Sequence, residues 1–349
     1  DGKTDVVIGH YGAYAGGNTV SILRNTSTSG AITFAAKVDL TVNSGPMGVA
    51  IGDLDGDGKP DLAVAQFNDG SGNTISVLRN TSAGGTISFA PKIDVSAGVG
   101  PYAIRIGDID GDGKADLVVT NFGTFAGDGN TVSILRNTST TGNLSFAAKV
   151  DFTTNSGPCD FVIADIDGDG KPDVTIAHFG GSGAGNTVSV LRNTSTLGNP
   201  TFAAKVTFTV GTGAIRIALN DLDKDGKLDV ATANFGTTTT GGAGNTVSVL
   251  RNTSTSGTVA FATKVDFTVG TGPHGLASTD LNGDGWPELI TANYGTISGE
   301  GNTVSVLRNL NTAATSLVPN VVGATQTAAQ QTLTGAGFTL GAVTQVYNS

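Results

Sequence analysis

Reactive side chains are scarce in this 349-residue chain, which holds one cysteine, one methionine, one tryptophan and three histidines. A lone Cys159 excludes an intrachain disulfide framework. Only 14% of the residues are charged, and 29 acids outnumber 19 bases for a formal charge of −10. That balance argues against nucleic acid or an anionic membrane as partner. No apolar run approaches the ~20 residues of a transmembrane helix, and the opening residues do not read as a signal peptide. Nucleophile elbows, P-loops and zinc-binding motifs are missing too, so the expectation is a protein that is not an enzyme. Glycine is abundant instead: 52 residues, without the Gly-X-Y period of collagen. With 38% hydrophobic residues the chain is not of disordered composition.

What the sequence does contain is one unit written about six times. The string NTVSVLRN, or a near copy, starts at Asn18, Asn73, Asn130, Asn186, Asn245 and Asn302, at intervals of 55, 57, 56, 59 and 57 residues. F-A-x-K-(V/I) starts at Phe34, Phe89, Phe146, Phe202 and Phe261. Short β-branched or alternating runs, each bounded by Gly, Pro, Asn or Ser, give four strands per unit. Four-stranded units at this spacing predict an all-β fold, a β-propeller of about six four-stranded blades, rather than an array of sandwiches or a solenoid. Both ends read as cut, with 22 strands where six blades need 24. The missing strands predict open positions for a protein partner or for self-association.

A third string, D-x-(D/N)-x-D-G, places acids at positions 1, 3, 5 and 9 of a tight loop. The first loop has Asp53, Asp55, Asp57 and Asp61, the second Asp108, Asp110, Asp112 and Asp116, and the third Asp165, Asp167, Asp169 and Asp173. The fourth has Asp221, Asp223, Asp225 and Asp229, and the fifth Asp280, Asn282, Asp284 and Glu288. Backbone carbonyls at position 7 (Lys59, Lys114, Lys171, Lys227, Trp286) are the expected fifth ligands. Such all-oxygen loops suit Ca²⁺ better than Mg²⁺ or Zn²⁺. Strands flank them and the anchor is at position 9, unlike a helical EF-hand. A partial sixth site is expected at Asp1 and Asp5. These loops hold 21 of the 29 acids; five bound Ca²⁺ would bring the chain close to neutral.

The acidic loops, with Phe122-Gly123, Phe179-Gly180 and Phe235-Gly236 and with Gly45-Pro46, Gly100-Pro101, Gly157-Pro158 and Gly272-Pro273, resemble FG-GAP/VCBS-type repeats. Tyr11-Gly12 and Tyr294-Gly295 are variants; Phe67-Asn68 and Gly213-Ala214 depart from the pattern. The resemblance implies calcium-loop propeller blades like those of integrin α-subunit heads and many secreted bacterial proteins. It implies a secreted or cell-surface protein serving adhesion or structural assembly; the open strand positions at the two ends make a polymeric surface fibre the specific version of that expectation. A carbohydrate-binding or carbohydrate-active module is the alternative, which leaves a glycan as a second kind of partner. Residues 1–310 are expected to form the propeller. Residues 311–349 are expected to be a linker and a short α/β tail, in which Val318 to Gly341 resembles the first half of a PASTA module.

Three smaller features have expectations attached. His10 and His178 share a repeat position with Gln66, Asn121, Asn234 and Asn293, a polar ring expected either at a channel mouth or in strand-end hydrogen bonds. Lys and Asp recur two apart (Lys37/Asp39, Lys92/Asp94, Lys149/Asp151, Lys264/Asp266), as a charge ladder on one strand face. Asn-x-Ser sequons begin at Asn25, Asn80, Asn137, Asn143, Asn193 and Asn252, as turns or as glycosylation acceptors.

Overall fold

A computed structural model describes residues 2–12, 16–238, 241–296, 301 and 303–310, with Ala328 and Gln331 farther on. Contacts divide the chain into Asp1–Leu307 and Arg308–Ser349. Apart from Ala328 and Gln331, the PASTA-like segment, and with it the expected α/β tail, lies outside the described residues.

Among the described residues the first unit is built of 22 strands in six antiparallel sheets. The first sheet has three strands, β1 (Val6–His10), β2 (Thr19–Leu23) and β3 (Val38–Thr41). Next come β4 (Pro46–Gly52), β5 (Asp61–Gln66), β6 (Thr74–Leu78) and β7 (Ile93–Ser96), paired in chain order. The third sheet is β8 (Pro101–Gly107), β9 (Asp116–Asn121), β10 (Thr131–Leu135) and β11 (Val150–Thr153). The fourth is β12 (Pro158–Ala164), β13 (Asp173–His178), β14 (Thr187–Leu191) and β15 (Val206–Thr209). The fifth is β16 (Ala214–Asn220), β17 (Asp229–Asn234), β18 (Thr246–Leu250) and β19 (Val265–Thr268). The last is β20 (Pro273–Thr279), β21 (Glu288–Asn293) and β22 (Thr303–Leu307). The three-stranded first and last sheets match the sequence count.

Each of the four inner sheets is buried on both faces because it lies between two others. The third strand of one blade presents two β-branched side chains to the second strand of the next. Val20 and Ile22 pack on Leu62 and Val64, Ile75 and Val77 on Leu117 and Val119, and Val132 and Ile134 on Val174 and Ile176. The first strands β4, β8, β12, β16 and β20 contact one another in succession and line one central cavity. This is the radial packing of a β-propeller, and it makes the sheet core continuous from blade to blade.

The Phe-Gly and Gly-Pro elements have a clear physical role. Tyr11, Phe67, Phe122, Phe179, Phe235 and Tyr294 form a chain of rings with centroids 6.0–6.5 Å apart, within the range for favourable aromatic pairs. The Gly100 carbonyl accepts the Phe122 amide, at 2.9 Å. Gly100 sits at φ +62°, and a Cβ there would lie 1.9 Å from the Gly123 oxygen, so no other residue fits. The departures keep this geometry: Gly213 holds φ +72° before Ala214, and Asn68 takes φ +44° in place of the usual glycine.

Five members of the polar ring do not line a channel mouth; the sixth, His10, is exposed at the end of β1 but makes the same strand-end bond, to Ser21 Oγ at 2.7 Å. Gln66, Asn121, His178 and Asn234 are at most 2% exposed, and Asn293 is buried. They end the second strand and bond across it to the third: Asn121 Nδ2 donates to Ser133 Oγ at 2.8 Å, and Ser133 donates to Asp151 at 2.6 Å. Asp151 also pairs with Lys149, so the repeated Lys–Asp pair closes a relay that reaches inside the sheet. His178 bonds Ser189 at 2.6 Å in the same place. Burial, reinforced by the Lys205 charge, pushes its pKa from 6.5 to about 3.

A histidine kept neutral by burial takes up its proton more readily unfolded than folded. Its contribution is therefore present above pH 6.5 and is lost as pH falls toward 3, by about 2 kcal/mol at pH 5. His178→Asn, which copies Asn121 and Asn234, is expected to flatten the fall in stability between pH 6.5 and 4. Denaturant unfolding across that range, showing parallel curves for both proteins, would contradict this.

Candidate metal centres

Each acidic loop connects the first strand of a blade to its second and is wound by its own side chains. Asp53 Oδ1 accepts the Gly56 amide at 2.8 Å, and its Oδ2 accepts Gly58 at 2.8 Å. Asp55 Oδ1 accepts the Asp57 amide at 3.1 Å, and Asp57 Oδ1 accepts Lys59 at 2.9 Å. Gly56 and Gly58 lie at φ +73° and +83°, which lets the chain turn tightly enough to bring the acids together. The same bonds recur around Asp108 and Asp165. The first acid of each loop uses both oxygens to hold the turn and the third and fifth use one, so that the carboxylates are drawn together.

The convergence is close. One oxygen from each of Asp53, Asp55 and Asp57 lies within 4.8 Å of the others, and the same is true of Asp108, Asp110 and Asp116. Asp165, Asp167 and Asp173 form a third group, and Asp221, Asp223 and Asp225 a fourth. The fifth loop does not bring three carboxylates this close among the described residues. There Asn282 stands at position 3 and accepts the Asp284 amide at 2.8 Å, and Lys224 of the fourth loop lies 4.1 Å over the Trp286 ring. Asp1, half of the expected sixth site, is outside the described residues. Asp5 accepts the Asn25 amide at 2.7 Å, as the ninth acid does elsewhere.

The ninth acid does more than the sequence reading assigned to it. Asp61 is fully buried; its Oδ2 accepts the Leu54 amide at 3.0 Å and its Oδ1 the Asn80 amide at 2.7 Å. Asp116, Asp173 and Asp229 repeat both bonds. It thus ties the loop to the start of the outer hairpin. Burial, opposed by those two amides and reinforced by neighbouring loop acids, raises the pKa of Asp116, Asp173 and Asp229 to about 6. Their carboxylates are short of compensating positive charge. One arginine stands by each group, at 3.5–4.0 Å: Arg79, Arg136, Arg192 and Arg251. One cation facing three or four anions is not enough. Asp110 Oδ2 and Asp167 Oδ2 are buried with no hydrogen-bond partner at all, a costly arrangement unless something else binds there.

The position-7 residues contribute in a second way: the side chains of Lys114, Lys171 and Lys227 donate to the carbonyls of Ser139, Ser195 and Ser254, each at 2.8 Å. The sequon asparagines were the least foreseen. Asn137 Nδ2 donates to Leu54 O in the preceding blade's loop and to Ala115 O in its own, both at 2.8 Å. Asn193 bridges Ile109 and Pro172, and Asn252 bridges Ile166 and Leu228. They are 0–1% exposed, so in the folded protein these amide nitrogens are inter-blade fasteners rather than glycosylation acceptors. A sequon recurring in register with an acidic loop was the available signal.

An all-β propeller whose blades each begin with an acidic, cation-ready loop defines a class. The FG-GAP-like repeat profile matches residues 1–64, 53–119, 124–176 and 237–291. The chain belongs to the FG-GAP-like repeat family. The unmatched stretch, 177–236, carries the Gly213-Ala214 departure yet forms the same strands. No curated protein matches the sequence significantly. Among solved structures, a protein from Lactobacillus plantarum is 17% identical over 84% of this chain and 79% of its own, with a TM-score of 0.49. A candidate 6-phosphogluconolactonase from Bacteroides uniformis is 14% identical over 88% and 92%, with a TM-score of 0.42. Likenesses this distant assign no activity to this chain.

Asn193→Ala removes three side-chain hydrogen bonds, those donated to Ile109 O and Pro172 O and that accepted from the Ser195 amide, and is expected to cost about 3 kcal/mol. Asn25→Ala, at a partly exposed position, should cost markedly less. Equal denaturation midpoints for the two variants would contradict the fastening role.

Proposed function

We propose that this is a calcium-stabilised extracellular propeller, non-enzymatic, that serves adhesion or structural assembly by packing its first and last sheets against other copies of itself. The carboxylate groups fit Ca²⁺: their donors are all oxygen, three converge in each of four loops, and two carry a buried oxygen without a partner. Asp53, Asp55 and Asp57, and their counterparts in the later loops, would hold the ion, with the ninth acid beside them. Bound calcium would supply the missing positive charge. Cys159 supports the non-enzymatic reading, since its buried thiol is directed at the carbonyls of Ala177, Ala214 and Ile215 and its pKa is pushed up to about 12 by burial.

The observation that carries assembly is the pair of free faces. Val304 and Val306 on β22 are 64% and 53% exposed, whereas their equivalents Ile75 and Val77 are 0% exposed. Val6 and Ile8 on β1 are 38% and 42% exposed, where Leu62 and Val64 are at most 2%. These are the two halves of the contact that joins every successive pair of blades. A second copy therefore brings the matching surface, and head-to-tail packing of such halves gives a ring or a fibre. The membrane plays no part in this reading; no described helix is long and apolar enough to cross one, which leaves β-barrels unaddressed.

Chelation tests the metal half. Sites of the extracellular kind, at ten times their Kd, add about 1.4 kcal/mol each. Four or five together would raise the melting temperature by about 10 °C for a unit of this size, so EDTA should lower it by that much and Ca²⁺ restore it. An unchanged melt would overturn the metal reading. Light scattering at rising concentration tests assembly: higher species are expected, and Val306→Asp should abolish them. Monomers only, at every concentration, would count against it.

A further inference from the structure

The repeat is nearly symmetric where the blades meet the central axis, and three charged residues break it. On the first strand of successive blades the third position is Gly48, Ala103, Asp160, Arg216 and Gly275, and the fifth is Ala50, Arg105, Val162, Ala218 and Ala277. Arg105, Asp160 and Arg216 come from three neighbouring blades and line a single central cavity of about 400 Å³, together with Met47, Tyr102 and Cys159. A cavity of that size suits a monosaccharide-sized ligand.

The partners of the three are unequal. Asp160, 7% exposed, is satisfied: it accepts Arg105 Nη2 at 2.9 Å, the Phe161 amide at 3.0 Å and the Ile217 amide at 3.3 Å. Arg105 also donates Nε to Phe161 O at 2.7 Å and lies over the Phe161 ring. Arg216 has no such pairing. Its Nη1 donates to its neighbour's carbonyl, Ile215 O, at 3.0 Å, and its charge is felt by the nearby Tyr102 hydroxyl and, less directly than that of Arg105, by Asp160. Among the described residues no carboxylate lies within 4.0 Å of its guanidinium. The cavity thus holds two guanidinium groups against one carboxylate. Nothing in the packing of three strands requires the second arginine, since Gly, Ala or Gly suffices at its position in three other blades.

A half-buried guanidinium with unused donors, facing a solvent-reached cavity beside a phenol hydroxyl, matches a planar carboxylate. We propose that the channel binds a small carboxylate of monosaccharide size, with Arg216 as the anchoring cation, Tyr102 as a second donor and the Arg105–Asp160 pair as the fixed wall beside it. This site is separate from the acidic loops, and the inference holds whether or not they take calcium.

Isothermal titration of the full chain, in calcium-containing buffer, with galacturonate, malate and benzoate tests it, galactose serving as the uncharged twin of galacturonate. At least one of the acids is expected to bind with a Kd in the ~10 µM–1 mM range, and galactose more weakly than galacturonate by at least about tenfold. Arg216→Met should abolish binding, Tyr102→Phe should weaken it several-fold, and Lys37→Met, on the outer surface, should leave it unchanged. Melting curves report whether Arg216→Met folds; if it does not, Tyr102→Phe decides. No binding of any of the acids up to about 10 mM, or binding that Arg216→Met or Tyr102→Phe leaves intact, overturns the proposal.

Discussion

A carboxylate buried at the ninth position of each loop is the constraint on which the blades depend. Asp61, Asp116, Asp173 and Asp229 each hold two backbone amides, one in the loop and one at the start of the outer hairpin. An ionised carboxylate with two amide donors is well held, but burial still lifts its pKa, because amides only partly replace water. The same loop then gathers two or three more acids within a few ångströms. The bonds that fold the loop therefore concentrate negative charge, in groups of acids that could hold a metal ion.

The fastening between blades follows from the same loop. Once the ninth acid fixes the amide of Asn137, Asn193 or Asn252, the side-chain amide of that residue points at the carbonyl after the first acid of the preceding loop. Polar bonds thus join neighbouring blades on one side, while the Phe-Gly ring chain joins them on the other. Between the two, β-branched side chains of successive sheets interlock. Each blade is bound to its neighbours by a polar seam, an apolar core and an aromatic seam. The unit resembles other repeat arrays in that its contacts are nearest-neighbour contacts, and an array of that kind presents a half-contact at each end.

Much of this was legible in the residues. Strand positions were readable because each run of Val, Ile, Leu and Thr is bounded by turn residues, and the acid spacing was readable because the loop needs it. Less was legible where one residue has two uses. Asn193 reads as a sequon or a turn because the sequence does not show that its amide reaches a loop 84 residues earlier. The His178 position allows a channel mouth as well as strand-end hydrogen bonding, since a strand-end polar residue can point outward or across the sheet; its bond to Ser189 decides for the second. The symmetry-breaking trio was visible in principle: Asp160 and Arg216 occupy a position that Gly or Ala fills elsewhere. Each is unremarkable in the sequence until the blades are placed around an axis.

The most direct measurement of the central claim is the calcium content of the purified chain after exhaustive dialysis, first against calcium and then against metal-free buffer, read by elemental analysis beside a calcium titration of the stripped protein. Four to five equivalents per chain are expected from the four three-acid groups and the weaker fifth loop, with Asp110→Asn and Asp167→Asn each removing one. Binding of less than one equivalent, with unchanged stability in chelator, would contradict it.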